Sequence, residues 1–92
     1  MRDPDRAGQD INMYFVYILK SLKDSGYYIG QTDNLELRIE KHNNGQVRST
    51  KNRTPFVLIK KELFKSRGEA RKRENYLKRL KGGNEFKKIV EI

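Results

Sequence analysis

The feature that most constrains the fold is a pair of short segments, rich in aromatic and β-branched residues, that lie close together in the chain. Residues 14–20 read YFVYILK, and residues 27–32 read YYIGQT. Between them lies SLKDSG, whose small and polar residues favour a reversal of the chain. Two β-rich segments joined by such a turn predict a β-hairpin.

This hairpin would bring two tyrosines to one face of a sheet. A turn centred near residues 23–24 sets Tyr17 opposite Gly30. In the same register Leu19 lies opposite Tyr28. Because alternate side chains share a face, the two tyrosines lie on one side with the glycine between them. Tyrosines in a small sheet ordinarily pack in the core with the hydroxyl in water, so the pair alone does not indicate a function.

A helix of about ten residues is predicted after the hairpin. Asp33 is placed to cap its N-terminus, and Glu36 then occupies the third helical position, as in a capping box. The Asn-Gly pair at residues 44–45 is typical of a helix end.

One face of this helix carries both apolar and polar side chains. At about 100° per residue, Leu35, Ile39 and His42 form one stripe. Arg38 flanks that stripe and lies one turn from His42. Two such residues would ordinarily belong to the solvated flank of a helix; the alternative is that they line a site beside the core.

The remaining chain predicts one more strand and two more helices. Residues 56–64 (FVLIKKELF) are β-rich enough for a third strand. Ser66 with Glu69 forms a second capping pattern, and the helix that follows ends near the glycines at residues 82–83. Residues 84–90 favour a short last helix. The order of elements is therefore β-β-α-β-α-α, which defines an α+β chain.

Glu74 lies inside the apolar stripe of the second predicted helix. With Ala70 taken as 0°, Glu74 falls at about 40° and Leu77 at about −20°. A carboxylate in that position costs several kcal/mol unless it is paired or binds a cation. An ion pair with one of the many basic residues and a metal site are the two alternatives.

The composition excludes several classes of protein. A chain of 92 residues suffices for one domain, and we expect residues 1–12 to form a disordered leader before a single domain at 13–92. The sequence contains no cysteine and one histidine, so any metal must sit on oxygen ligands. The longest apolar run is six residues, against the roughly 20 of a membrane-spanning helix. We therefore expect a cytoplasmic protein that does not bind membranes.

The balance of charges indicates an anionic partner. Lysines and arginines number 21 against 12 acidic residues, a formal net charge of +9. Residues 1–12 contain three aspartates and two arginines, so the rest of the chain is more basic than the whole. A field of this sign attracts polyanions, and nucleic acid is the commonest polyanion that such a domain meets. The alternative is a well-solvated surface without a partner.

Five of these residues together meet the needs of one reaction. They are Tyr17, Tyr28, Arg38, His42 and Glu74. They could supply a base for water, a clamp for phosphate and a ligand for a metal ion. Metal-assisted hydrolysis of a phosphodiester requires these three functions.

The same residues make the chain resemble the GIY-YIG nucleases, in the small single-domain branch similar to the catalytic domain of an excision-repair endonuclease. Residues 16–18 (VYI) correspond to the first signature and residues 28–30 (YIG) to the second. Valine replaces the glycine of the first signature. Residues 42–45 (HNNG) and 49–50 (ST) are typical of the small branch, and residues 69–74 (EARKRE) resemble the helix that carries the family's metal-binding glutamate.

The resemblance implies a fold and a set of roles. The family's fold is a three-stranded, mainly antiparallel sheet flanked by helices, which agrees with the predicted order. Tyr17 would act on the nucleophilic water, as general base or within a hydrogen-bonded relay, and Tyr28 would orient the same network. Arg38 would hold the phosphate, and His42 would assist proton transfer or contact the phosphate. Glu74 would bind one Mg²⁺ or Mn²⁺.

Other basic residues would contact the nucleic-acid backbone: Arg48, Lys51, Arg53, Lys60, Lys61, Arg71 and Lys78. The sequence contains no recognition module, so we expect structure-directed rather than sequence-directed hydrolysis of DNA, in repair or recombination. We expect a monomer or weak dimer, with a protein partner as one source of specificity. The sequence does not itself distinguish DNA from RNA. The alternative is a non-catalytic nucleic-acid-binding domain with the same fold and basic surface.

Overall fold

The computed structural model describes residues 13–91, and the predicted leader lies outside the described residues. The order of elements is the predicted one, and the chain is an α+β domain. The strands and helices are β1 (Tyr14–Ser21), β2 (Tyr27–Thr32), α1 (Leu35–Asn43), β3 (Phe56–Phe64), α2 (Arg67–Leu80) and α3 (Asn84–Val90), with a 3-10 turn at Lys51–Arg53 between α1 and β3.

The three strands form one antiparallel sheet in the order β2-β1-β3. In the hairpin Tyr17 pairs with Gly30, and Leu19 pairs with Tyr28, so the predicted register is confirmed. The pairing of β1 with β3 shifts by one residue between Ile18 and Leu19. This bulge falls on β3, because an edge strand can accommodate an extra residue without breaking a second ladder.

Helices cover both faces of the sheet, and each face has its own core. Alternating residues of β1 and β2 contribute to the core under α2 and α3, whose buried members are Val16, Ile18, Ile29, Ala70, Leu77 and Phe86. The opposite face packs against α1 through Tyr17, Leu19, Leu35 and Phe56. The period of two in the strands therefore sends Tyr17 and its flanking residues to opposite layers.

The cap of α1 differs from the prediction by one residue. The N-cap is Asn34, whose Oδ1 accepts a hydrogen bond from the Leu37 backbone N–H at 3.2 Å. Asp33 lies outside the helix and is exposed. Asn34 has the extended backbone of a cap residue, with φ −141° and ψ 91°, and this conformation decides which of two adjacent capping side chains is used.

The other helix ends agree with the prediction. Ser66 Oγ caps α2 by accepting from the Glu69 backbone N–H at 3.1 Å. Gly45 follows the C-terminal end of α1 and Gly82 follows that of α2, with φ of 75° and 91°, a conformation that favours glycine. Within residues 13–91, each helix is too short or too polar to cross a membrane.

Candidate active site

Tyr17 lies at the centre of the site, on the middle strand of the sheet. Its side chain is only 1% exposed, and its ring lies over Gly30 on the neighbouring strand. A Cβ added at Gly30 would approach the Tyr17 hydroxyl oxygen to 2.5 Å. The site therefore depends on a glycine at this position of β2.

His42 is the inner partner of Tyr17. It is 0% exposed, and its Nε2 lies 3.0 Å from the Tyr17 hydroxyl. The Tyr28 ring packs against the imidazole edge-on, with centroids 4.8 Å apart. The solvated-flank interpretation of this residue is wrong, because the helical stripe that begins at Leu35 turns His42 into the core.

Arg38, one turn before His42, approaches Tyr17 from the solvent side. It is half-buried, and its Nε donates a long hydrogen bond to the Tyr17 hydroxyl at 3.4 Å. This bond, and the nearby phenol of Tyr28, raise the pKa of Arg38 above its ordinary value, against the effect of burial. A permanent positive charge thus lies beside two phenols.

The environment keeps both buried groups neutral near pH 7. Burial raises the pKa of Tyr17 to about 12, the Arg38 hydrogen bond opposes this, and the charges of Tyr28 and Glu74 add to it. Burial also lowers the pKa of His42 to about 4, with a further contribution from the Arg38 charge. Tyr17 is therefore a hydrogen-bond donor at neutral pH, and His42 has an unprotonated ring nitrogen.

Glu74 approaches from the other side of the sheet, on α2. Its Oε1 accepts from Gln31 Nε2 at 2.9 Å, and its Oε2 forms an ion pair with Lys78 at 2.7 Å. Its side chain is 14% exposed. The ion-pair alternative for this carboxylate is thus observed. Glu74 does not hydrogen-bond to Tyr17, but its charge is near enough to raise the pKa of Tyr17.

The two halves of the site meet at the edge strand β2. Along this strand Tyr28 and Gly30 face α1, whereas Gln31 faces α2. Gly30 presents no side chain on the α1 face. At residues 30–31 the backbone of β2 therefore lies between the face that carries the Tyr17 cluster and the face that carries the Glu74 carboxylate.

The donor set around Glu74 fits a hard divalent cation. The carboxylate lies beside Gln31, whose Oε1 is buried and has no hydrogen-bond partner among the described residues. Carboxylate and amide oxygens are the ligands that Mg²⁺ and Mn²⁺ prefer. Within residues 13–91 no group of three or more acidic, histidine or cysteine side chains gathers to hold a metal. Glu74 and Gln31 would hold such an ion, with its remaining positions left to other ligands.

The basic residues predicted to contact nucleic acid do not gather on one face. Lys61 pairs with Tyr17 in the sheet register and lies on the α1 face. Lys60 pairs with Ile18 and lies on the α2 face, next to the bulge. Arg71 is exposed on α2.

Two of the predicted contact residues are engaged within the chain. Arg53 donates to Asp24 in the hairpin turn at 2.7 Å, and this hydrogen bond lowers the pKa of Asp24 to about 2. Lys78 forms the ion pair with Glu74. Arg48 and Lys51 are exposed in the loop that follows α1.

Two residues in contact with the site were not predicted as part of it. Gln31 occupies a core-facing position two residues after Ile29, and this polar residue in an apolar alternation was a signal that could have indicated it. Thr50 lies in an irregular loop, 2.8 Å from His42 Nδ1. Periodicity gives no signal there, and the resemblance of residues 49–50 to the small branch was the one signal that could have indicated it.

Comparisons with known proteins identify the family of the chain. The family model described as the GIY-YIG catalytic domain matches residues 13–87. A UPF0213 protein of Clostridium perfringens is 48% identical over 69 residues, which are 74% of this chain and 73% of that protein. A UPF0213 protein of Staphylococcus haemolyticus is 42% identical over 79 residues, 85% of this chain and 95% of that protein.

A solved structure supports the same assignment. The solution NMR structure of a UPF0213 protein from Bacillus halodurans matches with a TM-score of 0.55 and 34% sequence identity, over 86% of this chain and 83% of that one. The matched range contains the sheet, α1 and α2 with all five candidate catalytic residues. This chain belongs to the GIY-YIG family, as a small member similar to the UPF0213 proteins.

Proposed function

We propose that the protein is a metal-dependent endonuclease that hydrolyses phosphodiester bonds in DNA. The observation that carries the proposal is the contact of Tyr17 with buried His42 and half-buried Arg38, on the face of the sheet opposite the Glu74 carboxylate. Membership of a nuclease family and a net charge of +9 support the same reading. A phenol with a histidine, a guanidinium and a carboxylate gathered around β1 and β2 of so small a sheet form a combination typical of a functional site.

Each residue has a role that follows from its position. Arg38 lies between Tyr17 and solvent, so its guanidinium is placed to bind the phosphate and to stabilise charge that develops on it. Tyr28 is half-buried beside His42 and can orient the attacking water. Tyr17, with a pKa of about 12, acts by passing a proton rather than as a resident phenolate.

Glu74 and Gln31 hold the metal ion in this proposal. A bound Mg²⁺ or Mn²⁺ would neutralise charge on the phosphate and make a coordinated water more acidic. Lys78 must leave the Glu74 carboxylate for the ion to bind there, because it contacts Oε2 at 2.7 Å. Lys78 is 51% exposed, so it can turn toward a DNA phosphate.

The substrate is a feature of DNA structure rather than a base sequence. The exposed basic residues lie on both faces of the sheet, an arrangement that suits contacts to the backbone of a branched or nicked substrate. We infer a role in repair or recombination in the cytoplasm, as a monomer or weak dimer, with a protein partner as one source of specificity.

Cleavage assays test this function. Branched, nicked and single-stranded DNA would be incubated at low salt with Mg²⁺, Mn²⁺ or EDTA. We expect metal-dependent cutting that falls by at least about 100-fold in Tyr17→Phe and in Glu74→Gln. Tyr27→Phe and Glu40→Gln are matched controls: Tyr27 faces the α2 core, and Glu40 is exposed on α1. Both controls should cut as the wild type does.

A non-catalytic nucleic-acid-binding domain is the second candidate. The ion pair of Glu74 with Lys78 favours it, because both carboxylate oxygens already have donors. Three results together would support this candidate against the nuclease. DNA binding would weaken steeply with salt, none of the three DNAs would be cut, and Glu74→Gln would leave binding unchanged.

A further inference from the structure

The loop between α1 and β3 places a buried hydroxyl against the far side of His42. Thr50 is 0% exposed, and its Oγ1 lies 2.8 Å from His42 Nδ1. The same hydroxyl lies 3.4 Å from the Val47 carbonyl oxygen, which also accepts the Thr50 backbone N–H at 3.0 Å. Thr50 is thus held by its own turn in contact with the imidazole.

Counting donors and acceptors selects one tautomer of the histidine. Arg38 can only donate, so the Tyr17 oxygen is the acceptor in that contact. The single phenolic proton of Tyr17 then needs an acceptor, and among the described residues His42 Nε2 is the ring or side-chain atom that provides one. His42 Nε2 must therefore carry the lone pair, and Nδ1 must carry the proton.

The hydrogen bonds on the Thr50 side of the His42 ring agree with this tautomer. A protonated Nδ1 donates to Thr50 Oγ1, and the Thr50 hydroxyl then donates to the Val47 carbonyl oxygen. With this tautomer, the Tyr17 hydroxyl, His42 Nδ1–H and the Thr50 hydroxyl each have an acceptor. The opposite tautomer would direct two N–H donors at the Tyr17 oxygen and leave the phenolic proton without a partner.

We propose that Thr50 is a positioning residue: it holds His42 in the Nδ1–H tautomer so that Nε2 takes the Tyr17 proton during hydrolysis. This inference rests on the proposed nuclease function. Thr50 Oγ1 also accepts from Nδ1–H when the ring becomes a cation, and this contact stabilises the charged ring. Binding of an anionic phosphate to Arg38 offsets the charge that faces His42, which favours the same step.

The proton balance of the step is complete. An O–H bond of water breaks as its proton moves to the Tyr17 oxygen, while the former Tyr17 proton moves to His42 Nε2. The resulting hydroxide forms a bond to phosphorus, and the bond from phosphorus to the leaving oxygen breaks with its electron pair on that oxygen. The leaving oxygen takes a proton from solvent, and His42 later returns its proton to solvent through Tyr17.

The tautomer can be measured directly, because His42 is the one histidine of the sequence. Its ring nitrogens would be observed by ¹⁵N NMR near neutral pH in the wild type, in Thr50→Val and in Thr50→Ser. We expect a protonated Nδ1 in the wild type and in Thr50→Ser. Thr50→Val keeps the shape but removes the hydroxyl, so we expect a substantial population of the Nε2–H form.

The wild-type spectrum needs no variant and no nuclease activity. A wild type in the Nε2–H form would overturn the proposal, as would a folded Thr50→Val variant that stays fully in the Nδ1–H form. Backbone amide spectra of the three proteins show whether each is folded. If the valine variant does not fold, the wild-type tautomer and the serine variant still decide the assignment.

Steady-state kinetics of DNA cleavage test whether the His42 tautomer affects the reaction. In steady-state cleavage of the DNA that the wild type cuts, we expect kcat of Thr50→Val to fall by about 10–100-fold with KM unchanged, and Thr50→Ser to restore it. A valine variant with wild-type kcat would overturn the positioning role even if the nuclease function holds. The predicted tautomers in a protein that cuts no DNA would instead overturn the nuclease function and the transfer step, while the structural assignment of the tautomer stands.

Discussion

At the scale of the residue, Gly30 shows how a missing side chain shapes the site. A Cβ at this position would come too close to the outer end of the Tyr17 ring, which is buried beside His42 and can move away only at a cost. The glycine is therefore needed for space, and its backbone does not adopt a left-handed conformation. The close contact of Tyr17 on β1 with Gly30 on β2 therefore belongs to the site together with the Tyr17 hydroxyl.

Gly30→Ala should destabilise the protein. The added Cβ would meet the Tyr17 hydroxyl oxygen at 2.5 Å and Cζ at 2.7 Å, and displacing a buried ring costs about 1–3 kcal/mol of unfolding free energy. Gly68→Ala is the matched control. Gly68 lies in α2, where the nearest atom to an added Cβ is 4.0 Å away, so alanine should be neutral or stabilise by up to about 1 kcal/mol. Urea unfolding measures the free energy of unfolding of both variants and of the wild type. If Gly30→Ala were as stable as the wild type, the Tyr17 ring would have room to move.

The sequence predicted how the candidate residues are arranged along each strand and helix better than it predicted which other residues contact them. The period of two in the strands placed Tyr17 opposite Gly30, and the helical period placed Arg38 and His42 on one side of α1. Neither pattern shows what lies across the sheet. The Gln31 contact with Glu74 joins residues 43 positions apart, and the Thr50 contact depends on the path of an irregular loop. Such long-range contacts depend on tertiary packing, which local patterns do not encode.

At the scale of the element, the end of α1 is tied to the start of β3 by one side chain. Asn43 Oδ1 accepts from the Phe56 backbone N–H at 2.7 Å, and Asn43 Nδ2 donates to the Phe56 carbonyl oxygen at 3.2 Å. The Phe56 ring lies edge-on to His42, with centroids 5.9 Å apart. The paired hydrogen bonds thus fix the strand that closes one wall of the histidine pocket.

Removing this link should loosen the α1 face. For Asn43→Ala we expect a loss of about 1–2 kcal/mol of unfolding free energy, because two backbone groups of Phe56 lose their partner. Asn44→Ala is the control, since the structure gives the adjacent Asn44 a role only through its backbone N–H at the helix end. Thermal unfolding compares the two, and hydrogen exchange at the Phe56 amide should quicken in Asn43→Ala alone. A protected Phe56 amide in that variant would contradict the proposed link.

At the scale of the whole molecule, the buried histidine couples the stability of the domain to pH. The groups that face His42 are Tyr17 on β1, Tyr28 on β2, Arg38 on its own helix and Thr50 in the following loop. Among these, Arg38 carries a positive charge near neutral pH. A proton on His42 would therefore be placed in a buried position beside a like charge.

Stability should fall as the pH is lowered through the range in which the unfolded chain protonates this histidine and the folded chain does not. The pKa of His42 is about 4 in the folded protein and 6.5 ordinarily, so the unfolded state binds the extra proton between these values. The unfolding free energy is then highest above pH 6.5 and decreases by about 3 kcal/mol as the pH falls to about 4. Asp24, with a pKa of about 2, adds its own loss only at lower pH.

The slope of the unfolding free energy with pH shows which group causes the acid sensitivity. Urea unfolding at closely spaced pH values would compare the wild type with His42→Gln, which removes the titrating ring but can still hydrogen-bond to Tyr17. We expect a lower but nearly flat unfolding free energy for the variant between pH 6.5 and 4.5. A variant with the same slope as the wild type would assign the acid sensitivity to the carboxylates instead. A flat profile in both proteins would mean that His42 protonates as readily in the folded domain as in the unfolded chain.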